Sequence, residues 1–176
     1  MMIDQNQITQ AKRRAASMLD QAGIALTDKE RSSIEIADFG LGELDQTGLE
    51  IVVYENNERY CAKELVLFPR QTCPEHRHPP RAETPGKQET FRVRKGIVWL
   101  YVPGPVSATL HGRIPSGAEK YYTVFHEVQL LPGDQYTLPP GTKHWFQSGD
   151  EGAIVSEFSS PSDDASDIFT DPRITR

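Results

Sequence analysis

His76 and His78 stand one residue apart in CPEHRHPP, and Lys87 and Glu89 repeat that spacing in GKQETF. On an extended chain, residues two apart point to the same face, so the members of each pair can reach one target together. A hairpin-like return between the two stretches would bring Glu89 opposite the imidazoles. His144, in GDQYTLPPGTKHWFQS, comes after a tight turn shaped by Pro139 and Gly141 and supplies a third imidazole at the start of another strand. Three neutral imidazoles and one carboxylate suit a divalent first-row metal and leave positions for water or substrate oxygens in an octahedral shell. Manganese, zinc, cobalt, nickel and iron all accept that donor set.

Such a set has to be held by strands, and from about Leu49 the chain has their texture. Runs rich in Val, Ile, Tyr, Phe and Leu (LEIVVYE, YCAKELVLF, QETFRVRKGIVWLYVP, YYTVFHEVQLL, DQYTLPP, KHWFQSG, AIVSEFSS) are separated by turn signals at NNER, RKG, LPGD, PPGT and SGDEG. No helical pattern lies between them, which disfavours a βαβ parallel sheet. What remains is an all-β architecture, a sandwich or barrel of antiparallel strands with an N-terminal helical extension. The spacing of Ile8, Ala11, Ala15, Met18, Leu19 and Ala22 predicts an amphipathic helix that stops at Gly23. Thr27 and Glu30 form a capping-box pattern, and the β-branched Ile34 and Ile36 limit this second segment to a short helix or turn leading into a strand. We expect one domain over 1–176, with a helical extension at 1–45, a barrel at 49–160 and a tail at 161–176. The tail is polar around Ile168 and Phe169, and reads either as a solvated end or as a flap pinned by two apolar residues.

Composition removes several function classes. The net charge is −6 and no Lys/Arg block is present, so nucleic acid is not an expected partner. The opening residues lack the apolar core of a signal peptide and no apolar run is long enough for a bilayer, so a soluble, cytoplasmic protein without a membrane partner is expected. Cys61 and Cys73 read as two ordinary thiols, with Cys73 near enough to His76 in sequence to be a soft ligand. His111 and His126 lie away from the cluster. Trp99, Trp145 and Phe146 read as core or pocket wall.

The stretch from His76-x-His78 through Glu89 to Gly96 resembles the first motif of the cupin superfamily with a lengthened gap, and Gly133 through Pro139-x-Gly141 to His144 resembles the second. Gln147 and Ser148 replace the asparagine that usually ends the second motif. The resemblance implies a cupin jelly-roll β-barrel. The helical extension, the wide loop PPRAETPGKQETF, the Lys-x-Glu pairing and the ending EFSSPSDDASDIFTDPR are further similar to the D-lyxose isomerase family. That likeness implies a homodimeric aldose–ketose isomerase that uses manganese or a related divalent ion on free sugars such as D-lyxose and D-mannose. It implies metal ligands at His76, His78, Glu89 and His144, and functional residues near the sugar at Lys87, Glu157 and Asp167.

The residues keep other readings open. Glu157, on AIVSEFSS, serves as a general base if Ile154, Val155 and Phe158 shield it, and is a rim carboxylate otherwise. Lys87 is either an oxyanion partner or a solvated loop lysine. Asp167 either orients a hydroxyl or a relay water, or belongs to a solvated acidic run. A sugar-phosphate isomerase would draw on Arg70, Arg77, Arg81, Arg92, Arg94 and Lys95, although strand parity turns Arg77, Arg92 and Arg94 away from the ligands. An iron-dependent dioxygenase and a non-catalytic sugar binder share the same metal shell.

Overall fold

In the computed structural model, residues 3–81 and 84–176 are described; Ala82 and Glu83, within the wide loop before Lys87, lie outside the described residues, as do the first two methionines. The chain opens with α1 (Gln5–Gln21) and α2 (Asp28–Ser33). Both begin on capping boxes: Asp4 with Gln7, and Thr27 with Glu30, the pair legible in the sequence. α1 buries Ala11, Ala15, Ala16 and Leu19 against Val52, Val66 and Ile154, so small residues let the helix lie close on the outer face of the sheet.

Beyond the helices run the strands β1 (Glu35–Ala37), β2 (Leu49–Asn56), β3 (Cys61–Leu67), β4 (Thr72–Arg77), β5 (Glu89–Val102), β6 (His126–Leu130), β7 (Gln135–Leu138), β8 (His144–Ser159) and β9 (Ile168–Phe169). They form one curled antiparallel sheet in the order β1-β2-β3-β8-β4-β9, and β5 pairs with β6, β7 and β8. This is the cupin jelly roll. Its interior holds Ile51, Leu65, Leu67, Phe91, Val93, Leu100, Phe146 and Val155, the alternate residues of their strands.

Two expected turns are absent as chain reversals among the described residues. β5 runs through RKG and β8 runs through SGDEG, each bent rather than broken. Gly96 and Gly152 sit at the bends with φ near 77°, and a Cβ on Gly96 would lie 2.1 Å from the Gly152 carbonyl oxygen. Close backbone passage there lets both long strands serve two sides of the barrel. In YYTVFHEVQLL only His126–Leu130 is strand, and Glu119–Tyr121 forms a single 3-10 turn.

The tail is a flap and not a solvated end. β9 pairs with β4, opposing His76 with Phe169 and Arg77 with Ile168. Phe169 packs on Phe39 and His76, at ring separations of 5.5 and 5.4 Å, while Ile168 faces outward. One apolar residue therefore does the pinning.

Glu50 on β2 is fully buried, with Oε1 accepting from Gln71 Nε2 at 3.0 Å and Oε2 without a partner among the described residues. Burial pushes its pKa up to about 8, against which the Gln71 bond and the Arg14 charge act weakly, and Asp45 adds to the rise. The unfolded chain releases this proton near the ordinary glutamate value and the folded chain only near 8, so folding loses stability as pH rises between the two. Glu50→Gln removes that loss. The variant's advantage over the native chain should grow by about 2–3 kcal/mol between pH 5 and pH 7 in chemical denaturation.

Candidate metal centre and active site

β4 and β8 run side by side with His76 opposite His144, and His78 lies just past the end of β4. The ligand nitrogens of the three imidazoles lie within 4.8 Å of one another, and all three residues are buried. Glu89, at the start of β5, does not arrive by the hairpin expected from the sequence, because β8 lies between β4 and β5. The curl of the barrel delivers it instead: Glu89 Oε1 is 3.1 Å from His78 Nε2 and 3.0 Å from His144 Nε2. Four donors that the sequence paired by parity thus meet in one place.

Each imidazole is held from behind. His76 Nδ1 donates to the Pro74 carbonyl at 2.8 Å, His144 Nδ1 to the Thr142 carbonyl at 2.9 Å, and His78 Nδ1 to Asp167 Oδ1 at 2.5 Å. A carbonyl oxygen only accepts, so His76 and His144 carry their proton on Nδ1 and turn the Nε2 lone pair inward. This is how a protein prepares metal-binding histidines. His144 Nε2 is buried without a hydrogen-bond partner among the described residues, an arrangement that costs free energy unless a cation takes the lone pair. The donor set fits a divalent ion.

The electrostatics agree. Burial, reinforced by the charges of His144 and His78, holds His76 well below its usual pKa and keeps it a neutral ligand. Burial opposes charge on His78 too, but Glu89 and Asp167 outweigh it and push this imidazole up to about 9, so an arriving cation displaces a proton there. Burial likewise resists ionisation of Glu89, and Lys87 and His78 overcome it, holding the carboxyl well below the usual range.

Lys87 is a buried ammonium and not a loop lysine in water. Its Nζ lies 2.8 Å from Glu89 Oε2 and 2.5 Å from Glu157 Oε1. Burial disfavours its charge, yet the two carboxylates hold it above the ordinary lysine value. Glu157 is 4% exposed and lines the same cavity, so the shielded-carboxylate reading is the one its placement fits. Asp167 was expected near a sugar hydroxyl; it lines the cavity, and its closest partner is His78, which it orients from behind.

The cavity is lined by the metal donors His76, His78 and Glu89, by Lys87 and Glu157, and by Lys63, Asp164 and Arg176, which sequence reasoning did not single out. Lys63 Nζ contacts Asp164 Oδ2 at 3.1 Å, and Arg176 Nη2 reaches the same oxygen at 2.9 Å. One signal was available: Lys63 is in phase with Cys61, Leu65 and Leu67, a charge on the core face of its strand. None of Arg70, Arg77, Arg81, Arg92, Arg94 or Lys95 lines the cavity. Glu75 is fully buried on the other face of β4, where it accepts from Thr123, Val124 and Thr170 and ties a loop and the flap to the strand. Cys73 lines the cavity as a buried thiol whose pKa burial pushes far up, so it is no thiolate ligand.

No family model matches the chain. It is 60% identical over 175 residues to the D-lyxose/D-mannose isomerase of Thermosediminibacter oceani, covering 99% of this chain and 97% of that one. A D-lyxose ketol-isomerase of a Thermofilum species matches at the same identity and coverage, and that of Cohnella laeviribosi at 62% over 95% of this chain and 92% of its own. Among solved structures, L-ribose isomerase of Acinetobacter sp. DL28 in complex with L-ribose superposes with a TM-score of 0.80, at 17% identity over 98% of this chain and 94% of that one, a likeness of fold. With near-full-length relatives at such identity, the chain belongs to the D-lyxose ketol-isomerase family.

Proposed function

We propose that this chain, as a single domain over residues 1–176, is a divalent-metal-dependent aldose–ketose isomerase that converts D-lyxose to D-xylulose and D-mannose to D-fructose. The two aldoses share configuration at C2, C3 and C4, so one site can hold both. The observation that carries the reading is the buried Lys87–Glu157 pair set beside three inward-facing imidazoles and Glu89.

His76, His78, Glu89 and His144 would hold the ion, with manganese the proposed metal. When bound it supplies Lewis acidity that favours negative charge on O1 and O2 of the open-chain sugar. Glu157 then removes the proton from C2; the C–H electron pair forms the C1=C2 bond and O1 becomes an oxyanion. Lys87, kept charged by its two carboxylates, donates a hydrogen bond to that oxyanion. Glu157 returns the proton to C1, and the O2 hydroxyl proton moves to O1 as the ketone forms. Among the described residues, the basic groups lining the cavity apart from the histidines are Lys63, Lys87 and Arg176, each already engaged by carboxylates, which supports a neutral sugar over a sugar phosphate.

D-Lyxose incubated with the protein and manganese should yield D-xylulose; no ketose with any of the five ions would overturn the reading. Asp167→Asn should weaken metal affinity about 10- to 100-fold, measured by competition with a chelator, because it loosens the bond that orients His78. We further propose a cytoplasmic homodimer. The unpaired Cys61 and Cys73 suit a reducing compartment, and exposed Tyr54, Tyr60 and Phe158 on or beside neighbouring strands offer an apolar surface. Light scattering of the purified chain tests the dimer.

A further inference from the structure

Lys63 has no part in the chemistry described so far, yet it is a lysine 4% exposed in the wall of the reaction cavity. It sits on β3 directly opposite Glu157 of β8, and Glu157 in turn lies opposite Phe91 of β5, the strand that carries Glu89. Lys63 is therefore one strand spacing, about 4.8 Å, beyond the proposed base on the side away from the metal donors. That step covers the remaining carbons of a five-carbon sugar whose C1 and C2 lie between the ion and Glu157.

The closed cavity has about 30 Å³ of free space, room for one or two water molecules and not for a sugar. Something has to move. The barrel wall cannot, since β3 is bonded to β2 and β8, and β8 to β3, β4 and β5. Residues 161–167 of the flap are held to the barrel chiefly by side chains: Asn56 on Ser162, Arg81 on Pro161 and Asp163, and Lys63 on Ser162 Oγ at 3.1 Å and Asp164 Oδ2 at 3.1 Å. Both partners of Lys63 thus belong to the segment that must yield. When it does, a buried ammonium is left with donors directed at the space just opened, and leaving them unpaired would be costly.

We propose that Lys63 is a substrate-binding residue that exchanges Ser162 and Asp164 for the terminal hydroxyl of the open-chain sugar. The assignment rests on the isomerase reading above. It makes Lys63 the ruler for the far end of the substrate, as the metal donors are for the near end.

The experiment pairs deletion of the ammonium with deletion of the hydroxyl. Native protein and Lys63→Met are each assayed on D-lyxose and on 5-deoxy-D-lyxose, with rates corrected for the share of each sugar in open-chain form. The native protein should lose about 10- to 100-fold in kcat/KM on the 5-deoxy sugar. Lys63→Met should lose a similar factor on D-lyxose, mainly through KM and with metal content unchanged, and no more than about 3-fold further on the 5-deoxy sugar. Losses that multiply in full would show that the two groups never meet, and would overturn the proposal. So would a native protein that turns over both sugars alike, a result that needs no variant to fold. A native protein inactive on D-lyxose would instead strike the isomerase reading itself.

Discussion

Glu157→Gln is expected to bind its metal as the native chain does and to isomerise D-lyxose about 100- to 10,000-fold more slowly. Glutamine keeps the volume and one acceptor oxygen, so the contact with Lys87 and the packing of β8 survive. What disappears is, among the described residues, the only carboxylate that lines the cavity beside Lys87 without also touching an imidazole or belonging to the flap. Glu89 touches His78 and His144, Asp167 backs His78, and Asp164 is engaged by Lys63 and Arg176. A base must be free to gain and lose a proton, and only Glu157 meets that demand. In deuterated solvent the native protein should place deuterium at C1 of the ketose, as a carboxylate that exchanges its proton would. A fully active Glu157→Gln, or a ketose without label, would remove Glu157 from the role of base.

Much of this was legible because strand periodicity is blunt. Residues two apart share a face, so His76 with His78 and Lys87 with Glu89 were paired before any fold was known, and Arg92 and Arg94 were correctly turned outward. Which strands become neighbours is a long-range matter, decided by burial and by where the sheet bends. That is why Glu89 was right as a residue and wrong as a hairpin partner, and why RKG and SGDEG looked like reversals when Gly96 and Gly152 only let two long strands pass closely. The flap was harder still. Its polar sequence carries no periodicity, and what fixes it is one aromatic contact by Phe169 and scattered bonds from Asn56, Lys63 and Arg81, none of which is local in sequence. Asp167 consequently could be named but not given its partner, and Asp164 and Arg176 could not be named.

His144→Ala is expected to lose bound metal and activity together, whereas chelation of the native protein should abolish turnover reversibly, with manganese restoring it. The reason lies in the backbone as much as in the imidazole. His144 is the donor whose Nε2 has no hydrogen-bond partner among the described residues, and it links the two halves of the site, opposing His76 in register and touching Glu89. Removing it leaves two imidazoles on the β4 side and a carboxylate on β5 with nothing between them on β8. Loss of activity alone could reflect a hole in a packed region, since the residue is fully buried. Linkage separates the two causes: a ligand bound only by the folded state stabilises it by about 2.7 kcal/mol at one hundred times its Kd. The native protein should therefore melt at a higher temperature with manganese than with chelator, and His144→Ala should melt at one temperature in both. A variant that kept its metal-dependent melting shift would place the ion elsewhere, and intact turnover in metal-free His144→Ala would leave these four side chains without a shared task.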